Sequence, residues 1–155
     1  MTSLSPPFRH LPELALPEYA YLPGISWRPK SFAAIENIKT VKNKERCAQM
    51  AYLYGWDLAN HEFHWESHEA WELCWNLWGR TSDQAYVVQG LIFASAVRLK
   101  YISRKFCSAE KLTKKAKYRL FEYADNCKEL GFSPEPWLKN WDASQKWQPL
   151  KVLST

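Results

Sequence analysis

A chain of 155 residues, 46% of them hydrophobic and 15% aromatic, is large enough for one packed domain and offers little reason for a second. Its formal charge of +5 supports solubility and a weak pull on polyanions, no more. No apolar run reaches the ~18 residues of a membrane span, and Cys47, Cys74, Cys107 and Cys127 stand too far apart for a C-x-x-C pair, which leaves buried thiols in a reducing, cytoplasmic setting.

Residues 1–43 are expected to form a proline-rich arm. Six of the nine prolines fall in the first 30 residues, where they fix φ and remove backbone donors. No apolar stretch there resembles the core of a signal peptide. The aromatics Phe8, Tyr19, Tyr21 and Trp27 suggest that the arm lies against the domain, with His10 at its surface.

Four helices are predicted over 44–131, giving an all-α, compact bundle. In the first, Cys47, Met50, Ala51, Tyr54 and Leu58 recur at helical spacing, and Asn60 stops it. The second spans 62–78 and ends at Gly79. The third is capped by Thr81, Ser82 or Asp83 and runs to Ile102; its middle, Ala85 to Val97, is apolar on every side and so predicts burial on every side. There Gly90 and Ala94 permit close packing. Ser108 is the expected cap of the fourth, whose stripe of Leu112, Ala116, Leu120, Tyr123, Cys127 and Leu130 ends at Gly131. Residues 132–155, with Trp137, Trp141 and Trp147, read as a second arm clamped onto the domain.

The second helix carries the candidate chemistry. At 100° per residue, His61, His64, His68, Glu72 and Trp75 share a face, with Glu62, Glu66 and Glu69 on the adjoining flank. Trp65, Trp71, Trp75 and Trp78 are interleaved with them. Carboxylates set among tryptophans lose water and need partners. The third helix offers Gln89 and Lys100, which share a face with Ala85 and Ala96, and Arg98 beyond them.

The run D-L-A-N-H-E-F-H-W-E-S-H-E-A-W-E-L-C-W, followed by Q-G-L-I-F-A-S-A-V-R-L-K, resembles the domain of unknown function family numbered 309. The matching positions are Asn60, Trp65, Glu66, His68, Glu69, Glu72 and Trp75, then Gln89, Gly90, Leu91, Ile92, Ala96 and Lys100. The resemblance covers about residues 44–130. Glu62 stands where Gly is usual and His64 where an aromatic is usual, so His64 is not counted as a required ligand. The resemblance implies an all-helical fold and assigns no activity.

Three functional readings follow. In the first, Glu66, His68, Glu69 and Glu72 form a structural polar network or line a ligand-binding pocket, supported by Trp65, Trp75, Gln89 and Lys100. In the second, a metal-dependent hydrolytic site uses His68 and Glu72, one turn apart like the ligands of H-E-x-x-H, with Glu69 as base and a divalent metal as candidate cofactor, or, as a variant, a metal-free acid–base site uses His68 as its titrating group. In the third, the segment 98–119, with nine Lys or Arg and the single acid Glu110, binds nucleic acid or another anion weakly. No nucleic-acid motif accompanies that segment, which ranks it last. A membrane partner is not expected, and a homo-oligomer stays open.

Overall fold

In a computed structural model, residues 5–27, 32–139, 141 and 147–153 are described, and all their regular structure is helical. The remainder of the two expected arms, at 1–4, 28–31, 140, 142–146 and 154–155, lies outside the described residues. The helices are α1 (Ala33–Lys39), α2 (Lys44–Asn60), α3 (His64–Leu77), α4 (Asp83–Ile102), α5 (Phe106–Glu122), α6 (Ala124–Glu129) and α7 (Pro134–Leu138).

Consecutive long helices pack on one another, α2 on α3, α3 on α4 and α4 on α5, as short connections require. The caps are local. Asn43 Oδ1 accepts from the Arg46 N–H at the start of α2, and Ser82 Oγ accepts from the Ala85 N–H at the start of α4. By length and composition α4 could cross a membrane, with a mean hydropathy of 1.2, but 56% of that window is buried inside the protein. Its apolar surface, including Val87, Val88, Leu91, Ala94 and Val97, is covered by its neighbours. Gly90 allows this: a Cβ there would come within 2.9 Å of the Leu120 side chain on α5. Between α3 and α4, Ser67 and Ser95 share a buried hydrogen bond of 2.9 Å.

The tryptophans are the other half of the core. Trp56 meets Trp71 edge-on at 5.3 Å and Trp137 edge-on at 5.4 Å, and Trp147 tilted at 6.1 Å, so α2, α3, α7 and the C-terminal segment share one aromatic cluster.

Three element boundaries differ from expectation. Residues 33–39, assigned to an arm, form α1, whose Ala34, Ile35 and Ile38 are buried. The helix expected from Ser108 to Gly131 starts at Phe106 and breaks at Tyr123 (φ −105°, ψ 36°), leaving α6 as a separate turn and a half. The break keeps Leu120 and Cys127 both buried, and Tyr123 stacks on Tyr86 at 5.2 Å. The third difference is the onset of α3. It begins at His64 rather than Glu62, because Glu62 has φ 67° and belongs to the turn.

That turn is one of three closed in the same way. Phe63 N–H bonds Leu58 O at 2.8 Å, and Glu62 N–H bonds Ala59 O at 3.1 Å, the paired closure that needs one left-handed residue after the helix. At α4 the pair is Lys105 to Lys100 and Arg104 to Tyr101, with Arg104 at φ 61°. At α6 the pair is Phe132 to Cys127 and Gly131 to Lys128, with Gly131 left-handed, while at α3 the left-handed Gly79 makes only the shorter closure, to Asn76 O at 3.4 Å. Charged residues hold that conformation at the other two ends, at a cost of about 1–2 kcal/mol each.

Candidate functional site

The polar residues of α3 and its approach separate into a sealed group and an open one. The sealed group is closed by the terminal segments. Asp57, fully buried, accepts from the backbone N–H of His10 (2.6 Å) and Leu11 (2.9 Å), and Arg9 Nε lies 3.1 Å from it. His10 Nδ1 is 2.9 Å from the same carboxylate, while its Nε2 accepts the Val152 N–H at 3.0 Å. An accepting Nε2 carries no proton, so Nδ1 donates and the ring is a neutral bridge between both ends of the chain and α2. Its side chain is 5% exposed, which overturns the expectation of a surface histidine. Burial pushes the Asp57 carboxyl up, but the bonds from His10, Leu11 and Arg9 outweigh it and hold the group below its usual range.

Asn60 ends α2 and grips the C-terminal segment. Its Oδ1 accepts from Trp147 Nε1 (3.0 Å) and Leu150 N–H (3.1 Å), and its Nδ2 donates to Leu150 O (2.8 Å). One residue pair further, Glu62 Oε1 accepts the Trp147 N–H at 3.1 Å and Oε2 takes a 2.6 Å bond from His64 Nε2. Burial lowers the His64 pKa, so a neutral imidazole donates to an ionised Glu62. Glu62 itself is pushed up by burial, but the His64 bond, the Arg98 charge and the Trp147 N–H hold it below its usual range. These bonds also explain how Glu62 keeps a left-handed φ. Glu66, 1% exposed, accepts the Tyr21 N–H through Oε2 at 2.9 Å, and burial raises its pKa. Its other oxygen is buried with no hydrogen bond among the described residues.

The open group begins two residues later, at His68. The His68 side chain is 27% exposed, with Nδ1 3.7 Å from Glu69 Oε1 and Nε2 3.7 Å from Glu72 Oε1. Both distances are beyond a hydrogen bond, so each ring nitrogen faces a carboxylate without being consumed by it. The donor atoms of His68, Glu69 and Glu72 lie within 4.8 Å of one another.

His68 also lines a cavity of about 630 Å³, with Trp65 from α3, Ala96, Leu99, Lys100 and Ile102 from α4, Arg104 and Lys105 from the following turn, and Pro23, Gly24 and Ile25 from the N-terminal segment. The left-handed Arg104 is what turns the chain over the end of α4, bringing it and Lys105 to the cavity. Trp65 is held edge-on against Tyr21 at 4.9 Å, which ties the N-terminal wall to α3.

Of the sequence candidates, His68, Trp65 and Lys100 meet at this cavity. Lys100 makes no ion pair with Glu66, Glu69 or Glu72 among the described residues. Glu66 belongs to the sealed group; Gln89 is half-buried on α4, apart from the cavity at His68. Trp75 lies under Arg80, whose guanidinium is 4.8 Å from the ring. His64 is sealed against Glu62. Within the basic 98–119 segment, Lys115 and Arg119 lie over Phe93 (6.0 Å) and Tyr86 (4.7 Å), so part of its charge is engaged in packing. Cys47, Cys74 and Cys127 are buried free thiols, as expected, and Cys107 is exposed, against expectation.

Sequence reasoning did not join Arg104, Lys105 or residues 23–25 to His68. Nothing in the local pattern marks Arg104 as left-handed, because Gly or Asn is the usual signal. No family model, curated protein or solved structure matches the chain.

Proposed function

We propose that this helical domain is a binding module for a compact organic anion with an apolar body, seated in the cavity beside His68. One observation carries the reading: His68, Lys100, Arg104 and Lys105 converge on a cavity whose other walls are Trp65, Ile25, Leu99 and Ile102. Apolar walls with a few placed charges suit a small ligand, and cations at the rim suit its carboxylate, sulfonate or phosphate. In this reading α2 to α5 form the frame, with the segments at both ends as arms closing it, and kinship with family 309 is part of the same proposal. We place the protein in a reducing, cytoplasmic compartment on the same footing, supported by its buried thiols.

Anilinonaphthalene sulfonate, an aromatic anion, tests the cavity by fluorescence titration. Saturable one-site binding is expected, weakened at least about tenfold in Lys100→Glu/Arg104→Glu and unchanged in Lys114→Glu, a change at an exposed lysine. Equal binding in all three proteins, or none in the parent, sinks the reading.

A second reading rests on the donor set at His68. A metal takes one ring nitrogen, so Nε2 and Glu72 would hold the ion, while Glu69 would orient the ring from the Nδ1 side. Ligand atoms around a tetrahedral zinc sit ~3.3 Å apart, so these half-exposed side chains would have to draw together from their present spacing. Elemental analysis of purified protein decides it: stoichiometric metal that disappears in His68→Ala supports the ion, and none in either protein removes it.

A further inference from the structure

We propose that a second cavity, at the opposite end of α4, binds a linear organic polycation of the polyamine class. The cavity holds about 570 Å³ and is walled by Tyr52 and Trp78, with Glu45, Asp83 and Glu129 and the side-chain amides of Gln49, Gln84 and Asn126 around them. Its lining contains no Lys, Arg or His, although the chain as a whole carries a charge of +5. None of the three carboxylates makes an ion pair among the described residues.

Local helix chemistry accounts for only part of that negative charge. Asp83 and Glu45 sit in first turns, where a carboxylate complements the helix dipole. Glu129 is the last residue of α6, where the dipole opposes it.

The aromatic wall is set for a cation. The Trp78 and Tyr52 rings stand 5.7 Å apart at 40°, and Trp78 Nε1 donates to Glu45 Oε2 at 3.2 Å, fixing a carboxylate at the indole edge. An ammonium with a methylene chain matches this combination, with N–H groups for the carboxylates and amides and an apolar stem for the rings. A bare metal ion does not, because Glu45, Asp83 and Glu129 form no metal-sized donor cluster among the described residues. Three separated carboxylates call for more than one positive charge on the ligand.

Isothermal titration with spermidine at constant ionic strength tests the proposal. One saturable site is expected, weakened at least about tenfold in Asp83→Asn/Glu129→Gln, with each single substitution giving part of the loss. Glu110→Gln, which removes an exposed acid on α5, is expected to leave the affinity unchanged. Pentylamine, with one charge, is expected to bind more weakly than spermidine. Absence of saturable heat overturns the proposal, as does equal weakening by Glu110→Gln or full displacement by magnesium chloride at matched ionic strength. The experiment leaves the cavity beside His68 untouched, so its failure says nothing about anion binding there.

Discussion

His64 and His68 lie one turn apart on the same helix, each beside a carboxylate, and they end in opposite situations. His64 is 1% exposed, bonded to Glu62 and covered by Trp147, with ring centroids 5.6 Å apart. His68 is partly exposed, 3.7 Å from two carboxylates, and opens onto a cavity. The difference lies in what covers each turn. Residues 147–152 lie over the start of α3 through Asn60 and Glu62, whereas the N-terminal segment, at 23–25, forms only one wall beside His68. The same residue types therefore act as a fastening where the chain ends lie across them and remain available for a ligand where they do not.

The comparison breaks most easily at its anchor. Asp57→Ala removes a buried carboxylate on which Arg9, His10 and Leu11 converge, leaving charge and donors stranded. A loss of about 3–5 kcal/mol is expected, read by urea unfolding. A loss under about 1 kcal/mol means that the N-terminal segment is not fastened as described.

The two histidines themselves give the next largest contrast. His64→Ala opens a cavity and strands Glu62, for an expected loss of about 2–4 kcal/mol. His68→Ala is expected to stay within about 1 kcal/mol of the parent and to alter the binding of anilinonaphthalene sulfonate instead. Similar destabilisation by both substitutions would erase the distinction between sealed and open.

Arg104→Gly sharpens it. Relief of the left-handed strain is expected to stabilise the fold by up to about 1 kcal/mol, while loss of the guanidinium weakens anion binding. A purely structural Arg104 predicts the first change without the second, so thermal melts and the dye titration are read together.

The smallest effect concerns pH. Burial raises the Glu66 pKa, so its ionised form opposes folding at neutral pH, and that penalty fades as pH falls toward the unfolded value of 4.5. Glu66→Gln is therefore expected to raise the melting temperature most at pH 7 and least near pH 4.5. Comparing the two proteins at each pH cancels His64, whose lowered pKa makes both lose stability as pH falls below 6.5. A constant difference across that range would show that Glu66 is not strained by burial.

Much of the frame was legible from local pattern. The apolar periodicity of Cys47 to Leu58, the cap signal at Thr81, Ser82 or Asp83 and the glycines at 79 and 131 are confined to a few residues, and α2, the start of α4 at Ser82 and the ends of α3 and α6 follow them. His68, Glu69 and Glu72 were legible as a cluster for the same reason, since helical spacing alone brings i, i+1 and i+4 together. Tertiary structure decided everything that depends on distant segments meeting. His10 reaches Val152 across the whole chain, Asn60 holds residues 147 and 150, and Arg104 joins His68 at a cavity through a turn that a non-glycine residue makes. Spacing places side chains on a helix face, but burial, tautomer and pKa depend on what packs over that face, and here the covering comes from segments up to 90 residues away.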